Sequence, residues 1–221
     1  GNEGFLQRDS VEHKGYAEAQ STDRSEGKER DGASDLLEAI LDRDNLNRAY
    51  KRVRRNHGAA GIDGMTVEEA LPWLKEHRGE LLRSIREGSY MPDPVRRKEI
   101  PKPDGGVRKL GIPTVVDRVI QQAIAQKLQN IWEPLFSDSS YGYRPKRSAG
   151  QAIRKVKEYA EQGYRYAVSV DLSKYFDTLN HELLMNLLHK QIADMRVLSL
   201  IKKYLKSGVM ENGMVCESEE G

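Results

Sequence analysis

Asp171 is the residue of this sequence that best fits metal-dependent chemistry. It is the first charged residue after Tyr166-Ala167-Val168-Ser169-Val170, a β-rich run that predicts a buried strand. Carboxylates are hard oxygen ligands that suit Mg²⁺, and divalent ions assist phosphoryl transfer by bridging phosphates. The backbone carbonyl of Leu172 could add a further ligand. Strands also commonly end in an Asp that only braces a turn, and Asp177 is better explained as a helix cap.

A second group of candidates forms an aromatic and basic loop at residues 140–148. Its rings offer stacking faces and its cations offer phosphate contacts, a combination that suits a single-stranded nucleic acid. The alternative is a loop anchored by two buried tyrosines. We expect a mixture, with the aromatic rings inside and the cations outward. The residues concerned are Tyr141, Tyr143, Arg144, Lys146 and Arg147.

Two further cations, Arg54 and Arg55, stand before a turn-rich loop at residues 56–64. They end a segment with helical spacing of apolar residues, in which Asp44-Asn45 is expected to separate two short helices. The backbone of the loop and the two arginines together could contact RNA.

The remaining sequence patterns predict several helices and two β-hairpins along the chain. Thr66 and Glu69 match a capping box, and Gly88 is expected to end the helix that it opens. Strands at 95–100 and 107–112 flank a turn, Pro103-Asp104-Gly105-Gly106. Further helices are expected at about 116–132, 148–162, 181–191 and 194–206, with a second hairpin at 209–215.

Composition and charge bound the class of protein. The 221 residues are 38% apolar and 32% charged, so part of the chain is expected to lie outside any core. Residues 1–33 hold five Lys/Arg and eight Asp/Glu with few large apolar side chains, which predicts a disordered leader. The net charge of the leader is −3 and that of the whole chain is +2, so the remaining residues carry a net charge of +5. That balance fits a phosphate-rich partner or a solvated surface.

The sequence excludes several other arrangements. Cys216 is the single cysteine, so neither an internal disulfide nor a cysteine-based zinc site is available. No apolar run approaches the roughly 18 residues of a membrane span, and no secretory signal is visible. We therefore expect no membrane partner and a location in the bacterial cytoplasm, with an organelle as the alternative.

Four blocks, in order along the chain, resemble group II intron-encoded reverse transcriptases. Residues 170–181, which begin Val170-Asp171-Leu172, look like the first catalytic motif of that family. Residues 58–64, which contain Gly61-Ile62-Asp63-Gly64, resemble its N-terminal extension. Residues 100–123 resemble the fingertip hairpin and the helix after it, and residues 141–148 resemble the next block. Together the blocks cover about residues 45–221.

The resemblance implies a role for each candidate. Asp171 would be one of three aspartates that bind Mg²⁺, and Phe176 would lie under the sugar of an incoming dNTP and exclude a 2′-hydroxyl. From the residue type alone, Phe176 is better read as a core aromatic.

The hairpin candidates also take their roles from the resemblance. Lys102 and Arg108 would reach the triphosphate, while Ile112 and Pro113 would pack against the templating base. Without the resemblance, Lys102 and Arg108 are better explained as exposed hairpin charges, and Pro113 simply ends a strand.

The expected fold is α+β, with mostly helical fingers, one antiparallel β-hairpin and the start of a reverse-transcriptase palm. The expected divisions are the leader at 1–33, an N-terminal extension of the fingers at 34–95, fingers at 96–165 and a partial palm at 166–221. The implied activity is RNA-directed DNA synthesis, together with help in splicing the intron RNA. Intron RNA, template RNA, a DNA primer and dNTPs are the implied partners, and a homodimer is left open.

The sequence departs from the family in one large respect. It contains no Asp-Asp pair, so the Tyr-x-Asp-Asp segment that supplies the other two aspartates is absent. The family's Gly-Gln-Gly-rich block, thumb and maturase domain are absent as well. One carboxylate cannot hold a two-metal site, so the 221-residue chain is expected not to polymerise by itself. The alternatives are an RNA-binding maturase module without polymerase activity and a reverse transcriptase of the retron or defence type.

Overall fold

The computed structural model describes residues 35–103, 105–172, 175–176, 178–211 and 214–216. The predicted leader and the predicted cap Asp177 lie outside the described residues. Within the described part, helices dominate and four short strands form one sheet, which confirms the α+β class.

The first two helices, α1 (Leu36–Leu41) and α2 (Arg43–Arg55), are separated at Asp42. The Asp42 carboxylate accepts hydrogen bonds from the backbone N–H groups of Asp44 and Asn45, which caps α2. The predicted break at Asp44-Asn45 is therefore wrong by two residues. Asn45 is instead buried, and its side-chain amide donates to the carbonyls of Ile40 and Ala123.

The core lies around a long central helix, α4 (Val115–Trp132), which α1, α2 and α3 (Ala70–Arg86) all contact. The capping box before α3 is confirmed: Glu69 N–H donates to the Thr66 hydroxyl, and Thr66 N–H donates to the Glu69 carboxylate. Gly88 follows the end of α3 with a φ of 71°, as predicted. The apolar residues with 0% exposure are Leu37, Ile40, Ala49, Ala70, Val115, Ala123 and Val197.

The predicted hairpin is confirmed as β1 (Val95–Pro101) and β2 (Val107–Ile112), which pair antiparallel with Arg96 opposite Ile112. The second hairpin is confirmed as β3 (Val209–Glu211) and β4 (Met214–Cys216). The sequence did not indicate that β3 pairs in parallel with the other edge of β1, which gives one sheet in the order β2-β1-β3-β4.

The last helix, α7 (Met195–Lys206), is joined to the first by Asp194. One oxygen of this carboxylate accepts from Leu37 N–H at 3.0 Å, and the other accepts from Arg196 N–H at 3.0 Å. Burial alone would raise the pKa of Asp194, but the hydrogen bonds from Arg196 and Leu37 lower it overall. The buried carboxylate thus ties the two ends of the helical body together.

The helices α5 (Ala149–Glu161) and α6 (His181–His189) have a different environment, since neither contains a buried residue. The capping residues of α5 are in place: the Ser148 hydroxyl accepts from Gln151 N–H, and the Gln151 side chain accepts from Ser148 N–H. Sequence periodicity therefore located these helices correctly without revealing what covers them.

The predicted buried strand at 166–170 is wrong for this structure. Residues 164–172 have no strand assignment, and Tyr166, Val168 and Val170 are 97%, 89% and 84% exposed. A strand requires a neighbour to complete its ladder of hydrogen bonds. None of the described strands pairs with this segment, and the sheet that they form consists of β1 to β4.

Candidate functional site

The turn-rich loop at 58–64 is fastened to the base of the β1–β2 hairpin. The Arg96 guanidinium donates twice to the Ala60 carbonyl, at 3.0 and 2.7 Å, and Arg118 donates to the Ala59 carbonyl at 2.6 Å. A Cβ added at Gly61 would stand 2.6 Å from the Thr114 Cα. The loop backbone therefore lies directly on the turn between β2 and α4, and only glycine leaves room for that approach.

The hairpin residues of the predicted nucleotide site fall in two environments. Lys102 and Arg108 are exposed at the outer end of the hairpin, where the Lys102 N–H donates to the Gly106 carbonyl. Ile112 and Pro113 are half-buried at its base, next to the loop that Gly61 anchors. The structure places the cations at the tip and the apolar residues at the base, while their roles stay predictions.

Sequence reasoning missed a buried polar network at the start of α4. Asp117 is 1% exposed, yet its carboxylate accepts from the Tyr90 hydroxyl at 2.6 Å, the Thr114 hydroxyl at 2.8 Å and Asp93 N–H at 3.1 Å. Burial, followed by the charge of Asp117, raises the pKa of Tyr90. The spacing Thr114-x-x-Asp117 before an apolar run is itself a capping-box signal that could have located the network.

One face of α2 is cationic. Its opposite face is buried through Asn45, Ala49, Tyr50 and Val53. In the described part of the chain, no salt bridge engages the cations of this face, and Asp44 is the only acid within the helix. Arg54 and Arg55 are thus part of a larger basic surface, which we call the α2 face, made of Arg43, Arg48, Lys51, Arg52, Arg54 and Arg55.

In the aromatic and basic loop, one cation lies inward and one aromatic ring lies outward, opposite to the prediction for these two residues. Arg144 is the inward residue, with 7% of its side chain exposed and a 2.8 Å ion pair to Glu133. Its guanidinium also donates to the carbonyls of Ser137 and Ser140. The prediction that the cations face outward is therefore wrong for Arg144, because loop carbonyls and Glu133 supply the acceptors that a buried guanidinium needs.

Tyr143 is turned outward instead, and its side chain is fully exposed. The prediction that the aromatic rings lie inside is wrong for this residue, while Tyr141 is half-buried. Tyr143 and Lys146 have φ values of 56° and 60°, a left-handed backbone that residues with a Cβ seldom adopt. Arg147 pairs with Asp138 at 3.2 Å and lies 5.5 Å from the Tyr141 ring. The anchored arginines hold the loop in a shape that presents Tyr143 and Lys146.

Asp171 lies in the exposed segment that precedes α6. Its carboxylate accepts a 3.0 Å hydrogen bond from Leu172 N–H, and no cation of the described chain forms an ion pair with it. Phe176 is 74% exposed and meets the Tyr175 ring edge to face, so it is not the core aromatic that its type suggested. Among the described residues, no group of three or more His, Cys, Asp or Glu side chains could hold a metal ion. At this site the described residues therefore provide the carboxylate of Asp171 and not a complete set of metal ligands.

Residues 100–220 match the model of the reverse transcriptase (RNA-dependent DNA polymerase) family. The match covers more than half of the chain and includes the end of β1, the whole of β2, the aromatic and basic loop and Asp171. This chain belongs to the reverse transcriptase family, and divalent metal dependence is a general property of that family.

Curated relatives confirm the resemblance to group II intron proteins. Group II intron-encoded protein LtrA of Lactococcus lactis subsp. cremoris is 38% identical over 166 residues, which is 74% of this chain and 27% of that protein. Protein YkfC of Escherichia coli K12 is 36% identical over 192 residues, which is 84% of this chain and 50% of that protein. Nuclear intron maturase 1 of Arabidopsis thaliana is 33% identical over 94 residues, covering 42% of this chain and 13% of that protein. The chain spans half or less of the length of these relatives.

A solved structure shows the same fold. A partial Cas6-RT-Cas1–Cas2 complex matches with a TM-score of 0.53 at 20% identity, covering 82% of this chain and 30% of the matched chain. Among the helices that the structure describes, none combines the length and the apolar character that crossing a bilayer would need.

Proposed function

We propose that these 221 residues form the fingers and part of the palm of an RNA-directed DNA polymerase of the group II intron type, which also assists splicing of its intron RNA. The observation that carries the enzymatic part is Asp171. It is an exposed carboxylate inside the segment that matches the family, and no cation of the described chain neutralises it. Such a group is available to a divalent ion, which we propose is Mg²⁺.

The proposed site assigns a task to each neighbouring residue. Asp171 and the carbonyl of Leu172 would bind the metal, and Phe176 would lie under the sugar of the dNTP. Lys102 and Arg108 would contact the triphosphate, as a point charge and a fork of donors respectively. Ile112 and Pro113 would pack against the templating base; their half-buried position over the Gly61 loop supports this, because it gives a rigid apolar surface.

The proposed divisions follow the same scheme. Residues 34–95 would be the N-terminal extension, 96–165 the fingers and 166–221 part of the palm. We propose that the run 166–170 becomes a strand when a longer protein supplies neighbouring strands, since its alternate side chains are apolar and exposed. The remaining metal ligands would come from the same longer protein, because the 221 residues contain no Asp-Asp pair.

The α2 face supports a second role, as an RNA-binding module in splicing. Six exposed cations against one acid on 13 residues give a surface that suits a phosphate backbone. Such binding requires no metal site, so it would persist in a maturase that has lost polymerase activity.

Two variants of a longer protein that contains these residues separate the roles. Asp171→Asn is expected to abolish primer extension on an RNA template with Mg²⁺ and dNTPs, and to leave RNA affinity unchanged. Arg54→Glu with Arg55→Glu is expected to weaken intron RNA binding and splicing first. Retained primer extension in Asp171→Asn would refute the catalytic role of this residue. If the wild-type protein binds RNA and promotes splicing without extension, the maturase-only function is correct.

A further inference from the structure

A polar cavity of about 410 Å³ lies between the aromatic and basic loop and α5. The loop contributes Tyr141 and Arg147, the segment before it contributes Ser139, and the helix contributes Gln151, Arg154 and Lys155. Its volume is within the range of about 300–1,000 Å³ that is typical of pockets for small ligands. Of the loop residues predicted to contact nucleic acid, Tyr141 and Arg147 line it.

The walls of this cavity are held in place by contacts within the chain. Arg147 is fixed between Asp138 and the ring of Tyr141. Ser148 and Gln151 fix the start of α5 through their reciprocal hydrogen bonds. Arg144 anchors the other side of the loop through Glu133. The cavity is therefore a property of the folded loop and helix, and Arg144 is a positioning residue for it.

The charge of the lining favours an anion. Two carboxylates, Asp138 and Glu158, also line the cavity, but each is paired: Asp138 with Arg147 and Glu158 with Lys155 at 2.8 Å. Arg154 has no acidic partner among the described residues. Three cations against two carboxylates leave a charge of +1, and the unpaired guanidinium is free to fork onto phosphate oxygens.

We propose that this cavity binds one nucleotide of single-stranded RNA, with Arg154 as the main phosphate contact and Tyr141 as the aromatic wall. The proposal rests on the RNA partner in the proposed function and extends the binding surface from the loop onto α5. An acidic peptide would also meet the cations. The exposed Tyr143 and Lys146 on the same loop favour RNA, because alternating rings and cations bind a strand of stacked bases and phosphates.

Two lysines of α5 allow a test on the chain with its wild-type sequence. Lys155 lines the cavity, whereas Lys157 is on the same helix outside it, paired with Glu161. The 221-residue chain is acetylated with and without a short oligouridylate, and both sites are quantified by mass spectrometry. RNA is expected to slow acetylation of Lys155 and to leave Lys157 unchanged. Equal protection of both lysines, or of neither, would overturn the proposal.

Matched variants measure the contact itself. Arg154→Ala and Lys157→Ala remove the same charge from the same helix, and neither residue is buried. By fluorescence anisotropy, Arg154→Ala is expected to weaken oligouridylate binding about tenfold. It should also make the dependence of log affinity on log salt shallower by about one unit, because one phosphate contact is lost. Lys157→Ala is expected to change neither quantity.

Equal effects of the two variants would mean that RNA affinity depends only on the overall charge of the helix, and this result would refute the nucleotide site. In a competition assay, displacement of the labelled oligouridylate by unlabelled oligouridylate but not by polyaspartate supports the nucleotide site. Tighter binding of polyaspartate would identify an acidic peptide as the occupant. These measurements need neither metal nor dNTPs. A negative result therefore refutes nucleotide binding in the cavity. Primer extension tests the polymerase function separately.

Discussion

Two groups of amphipathic helices in this molecule differ in what covers their apolar faces. In α1, α2 and α4, the apolar side chains meet one another, and Leu37, Ile40 and Ala49 are 0% exposed. In α5 and α6, Ile153, Val156 and Leu183 are 69%, 65% and 60% exposed. The periodicity that predicts a helix also predicts a face that prefers burial, but it does not identify the partner that buries it.

The two groups also divide the proposed functions. The α2 face and the Gly61 loop belong to the packed region, which supplies its own core. Asp171 belongs to the exposed region, next to Val168 and Val170, which are almost fully exposed. The proposed nucleic-acid contacts can therefore be preformed by this chain alone, whereas the proposed catalytic carboxylate lies where apolar side chains are not covered by any of the described residues.

The largest contrast should come from one substitution made in both regions. Ile40→Ala is expected to lower the free energy of unfolding by about 3 kcal/mol, because it removes a fully buried side chain and leaves a cavity. Ile153→Ala should change it by less than about 0.5 kcal/mol, since its side chain is mostly in water. Urea titration of both variants checks the pair, and equal losses would show that α5 belongs to the core.

Two glycines give the next contrast. Gly61→Ala is expected to destabilise the packed region by about 2 kcal/mol, because the new Cβ would meet the Thr114 backbone. Gly79→Ala in α3 is the control: nothing stands within 4 Å of its Cβ, so it should stabilise the protein by about 0.8 kcal/mol. Thermal unfolding measures both, and a neutral Gly61→Ala would refute the close approach of loop and turn.

Asp194 predicts how acid acts on the packed region. Because its pKa is below the ordinary 3.8, its stabilising effect is complete at neutral pH and disappears as the pH falls below about 4. Asp194→Asn should lower the free energy of unfolding by about 1.5 kcal/mol at pH 7, with a smaller difference from wild type at pH 3. Urea titrations at the two pH values test this, and a constant difference would contradict the assignment.

The smallest effect is expected at the N-cap of α5. Ser148→Ala removes the capping hydroxyl and should reduce the helicity of α5, seen as faster amide exchange at residues 149–155. Global stability should change by less than about 0.5 kcal/mol, because α5 contributes no buried residue to the core. A large change in global stability would show that the two regions unfold as one unit.

Local signals in the sequence predicted much of the fold. The capping box at Thr66, the start of a helix at about Ser148 and the turn before Val107 depend on residues close in sequence, and the structure bears out all three. The same logic would have located Asp117, had the Thr114-x-x-Asp117 spacing been applied to α4.

Features that depend on distant partners could not be predicted. Asn45 was expected to lie between two helices, but it lies within α2 and its amide donates to carbonyls 5 and 78 residues away. Arg144 looked like an outward cation until Glu133 and the loop carbonyls supplied its acceptors. The run before Asp171 has β-rich composition, yet a strand forms only where another strand pairs with it.

Primer extension tests directly whether Asp171 is one member of a metal site that these 221 residues do not complete. The 221-residue chain, a longer protein that contains it and the Asp171→Asn form of that protein are compared on one RNA template with Mg²⁺ and dNTPs. Extension is expected from the longer wild-type protein only. Robust extension by the 221-residue chain, or by the Asp171→Asn form, would contradict it.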